Sequence, residues 1–162
     1  MAPKRSEIAP PGDEIDREKC LEIIGTCACF NFRKASRSVT QLFDQILAPI
    51  GLRSTQLTIL VAAQVLGPCG LARLARELVM DRSTITRNIH PLVTQGLLQV
   101  TGKAGRGGKS VEITSAGQDA LLSALPYWQE AQGQLLQRMG KDRLDRVMVD
   151  LSNVVDATRA TS

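Results

Sequence analysis

A chain of 162 residues that is 43% hydrophobic and carries a formal net charge of +4 has room for one domain, or one domain with an oligomerisation arm, around a core of ordinary size. Aromatic residues make up only 3%, which argues against binding single-stranded nucleic acid by base stacking. No apolar run reaches the length of a membrane span and the first sixteen residues hold no signal-type apolar segment, so the sequence predicts a cytoplasmic chain with no membrane partner and with Cys20, Cys27, Cys29 and Cys69 as reduced thiols.

Residues 1–12 are rich in proline and charge and predict a disordered tail. Asp13, Glu14, Asp16 and Glu18 suit the positive end of a helix dipole, and a long helix is expected from about Ile15 to Leu47. Its apolar positions include Leu21, Ile24, Ala28, Ala35, Val39, Leu42 and Ile46, a break is expected near Gly25, and Pro49 and Gly51 end it. Ser54 or Thr55 caps a second helix running to Leu66, before Gly67-Pro68. A short helix over Leu71–Leu78 follows, then Asp81 caps a polar helix, Arg82–Gln95, with Ile85, Ile89, Leu92 and Val93 turned inward. Strands are expected at Leu97–Thr101 and Ser110–Thr114, joined by a glycine-rich basic loop. Ser115 caps a long helix to Met139, and after Gly140 a last helix runs from Lys141 to about Ala157.

The charge is uneven. Between Arg82 and Val111 the basic residues Arg82, Arg87, Lys103, Arg106 and Lys109 meet no Asp or Glu, whereas residues 115–162 carry a slight acidic excess. Such asymmetry fits a local polyanion site. Ser83, Thr84, Arg87 and Asn88 share one face of the polar helix, and a cationic hairpin lies beside it in sequence. Short hydrogen-bonding groups on a helix, next to cations on a loop, suit a DNA groove and its phosphates.

In this order the motifs LRSTQLTIL (52–60), LARLAREL (71–78), DRSTITR (81–87), QGLL (95–98) and ITSAG (113–117) resemble the MarR family of winged-helix transcription regulators. The resemblance covers roughly residues 15–160. It implies a mainly α fold with a small β wing: an N-terminal dimerisation helix over residues 13–50, a winged helix-turn-helix lobe over 51–114, and C-terminal dimerisation helices over 115–162. It implies a homodimer on double-stranded DNA with a palindromic operator, usually as a repressor released by a ligand or oxidant. Ser83, Thr84, Arg87 and Asn88 would face the major groove, with Arg82 and Thr86 on bases or flanking phosphates. Ser54, Thr55 and Gln56 would offer a helix N-terminus to phosphate. Lys103, Arg106 and Lys109 would reach the minor groove or its backbone. Two departures from the family stand out: Gly105 replaces an acidic residue that commonly braces the wing, predicting a looser loop, and His90-Pro91 predicts a kink after the base-reading turn.

Three readings are open for the thiols on the first helix. Cys20, Cys27 and Cys29 can be small hydrophobes at a dimer interface, an oxidant or electrophile sensor with Arg33 nearby, or a soft-metal site. Two residues apart on a continuous helix, Cys27 and Cys29 would point in nearly opposite directions. Phe30, Arg33, Phe43, Tyr127 and Trp128 are candidates to line an effector pocket. No cofactor and no enzymatic activity are expected, since no phosphate loop, metal-ligand cluster or Ser/His/Asp grouping is present. The competing reading is an architectural DNA binder with little sequence preference.

Overall fold

The computed structural model describes residues 16–102 and 109–159, and backbone contacts divide them into a unit ending at Val39 and a unit beginning at Thr40. The tail over residues 1–12, Lys103, Gly105 and Arg106 lie outside the described residues.

In the first unit Asp16 caps α1 (Arg17–Thr26), its carboxylate accepting the Lys19 N–H at 2.8 Å. The long helix expected from Ile15 is interrupted near Gly25, as anticipated, with the break two residues on at Cys27. Cys27 has extended backbone (φ −69°, ψ 111°), and α2 (Ala28–Leu47) begins after it. The Asn31 amide spans the gap, donating to the Ile24 carbonyl at 3.0 Å and to the Cys27 carbonyl at 2.9 Å. A helix end leaves carbonyls without partners, and this side chain satisfies that of Ile24, while the Cys27 carbonyl also accepts the Asn31 N–H at 3.1 Å. Leu21, Ile23, Ile24, Phe30 and Phe32 remain exposed.

α2 continues into the second unit, where a 3₁₀ turn at Ala48–Ile50 and Gly51 at φ +69° end it. α3 (Ser54–Leu66) ends at Leu66 as predicted but starts earlier, with a different cap. The residue before it is Arg53, whose N–H is taken by the Gln56 side-chain oxygen at 2.9 Å. The Ser54 N–H donates to the Asp44 carboxylate of α2 at 2.7 Å, so Ser54 enters the helix as its first residue instead of capping it. In the same way Thr114, not Ser115, caps α6 (Ser115–Met139), accepting the Gly117 N–H at 3.0 Å.

The helix-turn-helix consists of α4 (Leu71–Glu77) and α5 (Arg82–Thr94). Its turn is a Schellman motif: the Val79 N–H donates to the Arg76 carbonyl at 3.3 Å and the Met80 N–H to the Ala75 carbonyl at 2.8 Å. The left-handed position of that motif is usually glycine, yet here Val79 sits at φ +52°. A β-branched residue there costs about 1–2 kcal/mol. Asp81 caps α5 as predicted, and the helix runs through Pro91 to Thr94 without ending at His90.

β2 (Leu98–Thr101) and β3 (Ser110–Ile113) form the predicted antiparallel pair, Val100 opposite Val111. A two-residue strand the periodicity did not reveal, β1 (Cys69–Gly70), pairs with the other edge of β3 to give the order β1-β3-β2. α6 extends unbroken past Pro126, and α7 (Lys141–Arg159) follows Gly140. The core gathers Leu47, Ile59, Leu60, Leu74, Ile85, Leu92 and Leu98, all fully buried. Cys69 joins it, as expected for a thiol acting as a small hydrophobe. The architecture is mainly α with a small β wing, a winged helix.

Candidate nucleic-acid interface

α5 owes its orientation to its buried stripe. Ile85, Ile89 and Leu92 recur at helical spacing and pack in the core. At about 100° per residue, Arg87 lies roughly 200° round the helix from Ile85 and therefore points outward. It is exposed, and among the described residues no partner holds its guanidinium. Arg82 is also exposed, at the first turn.

The short polar residues are less free than the sequence suggested. Ser83 Oγ donates to Asp81 Oδ1 at 2.6 Å, Thr84 Oγ1 to Asp81 Oδ2 at 2.7 Å, and the Thr84 N–H to Oδ1 at 2.8 Å. The Ser83 hydroxyl first, then the Thr84 N–H and hydroxyl, hold the Asp81 carboxyl well below the usual carboxylate range. These hydroxyls pin the start of α5, and their protons are engaged within the protein. Thr86 Oγ1 donates to the Arg82 carbonyl at 2.7 Å, and the half-buried Asn88 turns its amide toward Met80 Sδ at 4.0 Å. The outward face is thus left mainly to Arg82, Arg87 and the exposed His90.

Arg82 and Lys109 flank one hollow of about 730 Å³ floored by Gly70, Leu71, Ala72 and Ala75. The pairing of β3 with β1 sets this arrangement, because Lys109 immediately precedes Ser110, which lies opposite Gly70. Two cations separated by 27 positions in sequence therefore meet at the foot of the wing. At the N-terminus of α3, the Ser54 N–H is already taken by Asp44 and the Gln56 side chain by Arg53, while Thr55 is exposed. That helix end offers a phosphate fewer free donors than its sequence implied.

A second cavity, of about 710 Å³, lies in the unit from Thr40 onward, between the end of α2, α3 and α6. Phe43, Leu57, Val61, Leu121, Leu125 and Trp128 give it apolar walls, and among the described residues none that lines it is charged. Gln118 donates to Gln64 across it at 3.2 Å. Ser54 Oγ is buried at its edge with no hydrogen-bond partner among the described residues. Of the candidate pocket residues, Phe43 and Trp128 line this cavity, Tyr127 packs against the core, and Phe30 and Arg33 are not part of its lining.

Cys20 and Cys29 are exposed and Cys27 half-buried, all as free thiols. The opposed directions expected for Cys27 and Cys29 presupposed a continuous helix, and Cys27 stands outside it. Its Sγ accepts the Phe30 N–H at 3.5 Å, in the manner of a cap on α2. Arg33 is exposed further along that helix. Among the described residues no group of three His, Cys, Asp or Glu side chains could hold a metal ion, and no single helix is long and apolar enough to cross a membrane.

The MarR family model matches residues 52–103, from the start of α3 through the helix-turn-helix to β2. The crystal structure of the M. tuberculosis transcriptional regulator MosR is 30% identical over 85% of this chain and 98% of that chain, with a TM-score of 0.73. The same regulator in complex with DNA is 31% identical over 82% and 98%, with a TM-score of 0.70. A probable transcriptional regulator from Pseudomonas aeruginosa is 25% identical over 81% and 98%, with a TM-score of 0.72. A search of curated protein sequences returned no match.

Proposed function

The chain belongs to the MarR family of DNA-binding transcriptional regulators, and on that premise we propose that it is a homodimeric repressor whose two α5 helices occupy successive major grooves of a palindromic operator. The observation that carries this reading is Arg87, outward on α5, exposed and without a partner among the described residues. A guanidinium so placed can grip guanine O6 and N7. Arg82, Lys109, Lys103 and Arg106 supply phosphate or minor-groove contacts, and Ser83, Thr84, Thr86, Asn88, Ser54, Thr55 and Gln56 act at the edge of the interface or hold its helices in place. The DNA complex of MosR, 31% identical, supports the mode of binding.

The dimer follows from surface left uncovered. Leu21, Ile23, Ile24, Phe30 and Phe32 on α1 and α2, and Met148, Val149 and Leu151 on α7, are each at least 39% exposed. Leaving apolar area wet costs about 25 cal/mol per Å². A symmetric pair of chains is the commonest way to cover it. Selection from a random duplex pool should recover an inverted repeat whose half-site centres lie about one helical turn apart. Recovery of unrelated sequences would sink this reading and leave the architectural one.

Release from DNA is assigned to the cavity between α2, α3 and α6, since a ligand there would wedge against the helix that leads to α4. Its uncharged lining favours a neutral, largely apolar molecule. The neutral fluorophore N-phenyl-1-naphthylamine should brighten saturably with the wild type and not with Val61→Trp, which plugs the cavity from its exposed rim; equal binding by both would remove the cavity from the account. A second route is modification of Cys27, whose sulfur caps α2. Hydrogen peroxide should then weaken binding to the selected duplex in the wild type but not in Cys27→Ser, and equal loss in both discards that route.

A further inference from the structure

The turn between α4 and α5 combines two features that DNA reading alone does not explain. Val79 holds a left-handed backbone without being glycine, and its side chain is 62% exposed, so packing does not force it there. From 82 residues further along the chain, Arg159 at the end of α7 reaches this turn. Its Nη2 donates to the Arg76 carbonyl and, at 3.2 Å, to the Glu77 carbonyl. Arg76 O is also the acceptor for the Val79 N–H, so the guanidinium binds one of the peptide groups that close the turn.

We propose that Arg159 is a positioning residue for DNA recognition, a latch from the C-terminal helix that holds the strained Val79 turn and thereby fixes where α5 begins. The physical logic is competitive. With valine at a left-handed position, the relaxed β conformation of residue 79 lies close in energy, and adopting it would swing Met80 and Asp81 away from α4. A cation at the C-terminal end of α4 favours its exposed carbonyls and so biases the turn toward the closed form. Both carbonyls accept from the one Nη2, so the contact asks for a cation with two N–H donors at this reach, which a shorter lysine ammonium satisfies only in part. The latch also gives α7 a direct handle on the DNA-reading head, so that whatever engages the last helix is felt at the recognition turn.

The inference rests on α5 being the DNA-reading helix, and one measurement is chosen to be independent of that. Amide exchange at Met80, which donates to Ala75 O, should speed up in Arg159→Ala with no DNA present. Affinity for the selected duplex, measured well below the melting temperature, should fall about 3- to 10-fold in Arg159→Ala, and Arg159→Lys should recover part of it. In a Val79→Gly background the left-handed position carries no penalty, and the same Arg159→Ala change should cost less than about 2-fold. An equal loss in both backgrounds, unchanged Met80 exchange, or a lower melting temperature with unchanged affinity would each overturn the latch. If no duplex is selected at all, the exchange result still decides whether Arg159 holds the turn, while the reading of α5 fails separately.

Discussion

Arg87→Ala is expected to weaken binding to the selected inverted repeat by at least about 30-fold while leaving binding to a scrambled duplex nearly unchanged. A bidentate arginine–guanine contact contributes about 1–3 kcal/mol of discrimination, and a symmetric dimer makes it twice, so the loss is about 2–6 kcal/mol, each 1.4 kcal/mol being tenfold. The alternative is that Arg87 grips a phosphate. In that case specific and non-specific affinity would fall together, and the slope of log K against log salt would shrink by about 0.9 for each phosphate left without its cation. The two outcomes differ in kind, so titrations of both duplexes at several salt concentrations separate them. Arg82 and Lys109, which share one hollow at the base of the wing, are expected to behave in the second way. If Arg87→Ala binds the selected duplex as well as the parent does, the helix face assigned to base reading is wrong.

What the sequence made legible follows a physical line. The end of α3 could be placed to the residue because its stop is chemical: Gly67 followed by Pro68 cannot continue a helix. The stripe of Ile85, Ile89 and Leu92 could be read because a 3.6-residue period is local, and with it the outward direction of Arg87. Most of what escaped depends on partners outside the stretch being read. Ser54 looks like a cap until Asp44, ten positions back, takes its N–H. β1 is two residues long and exists only because β3 lies beside it. Gly25 announced a break in the first helix but not its place two residues on at Cys27, where an asparagine four residues later bridges back. The cavity between α2, α3 and α6 has walls from three helices, each of which alone reads as ordinary core periodicity. For the interface, residue types gave the class of partner correctly, but not that Ser83 and Thr84 spend their hydroxyl protons on Asp81. An N-cap Asp followed by Ser and Thr is a pattern that could have warned of it.

Gly117→Ala should be among the most damaging small substitutions in the chain, although Gly117 lies in a helix, where alanine is normally preferred. A Cβ at this position would sit 2.2 Å from the Leu97 carbonyl oxygen and 2.6 Å from Ile113 Cγ1. The nearer neighbour is backbone, which cannot swing aside. It is also held: Leu97 O accepts the Thr114 N–H at 3.1 Å, and Thr114 Oγ1 donates to the carbonyls of Gly96 and Leu97 at 2.7 and 3.2 Å. The start of α6 and the start of β2 are therefore clamped face to face, with only a hydrogen atom's width for residue 117. Overpacking a rigid site costs about 1–3 kcal/mol and sometimes more. A backbone contact this short belongs at the upper end, about 3 kcal/mol, or a fall in melting temperature of roughly 6–12 °C for a chain of this length. Gly133, in the same helix, provides the control, since a Cβ there meets nothing within 4 Å. Gly133→Ala should instead gain about 0.5–1 kcal/mol from helix propensity and reduced unfolded-state entropy. Opposite signs from the same substitution, sixteen residues apart on one helix, would trace the cost to the Leu97 contact, whereas equal effects in thermal melts would show that contact to be harmless. Because the clamp joins the start of β2 to the long helix α6, any surviving Gly117→Ala protein should also bind the selected duplex less tightly, as Gly96, two residues past the end of α5, shifts with the displaced strand.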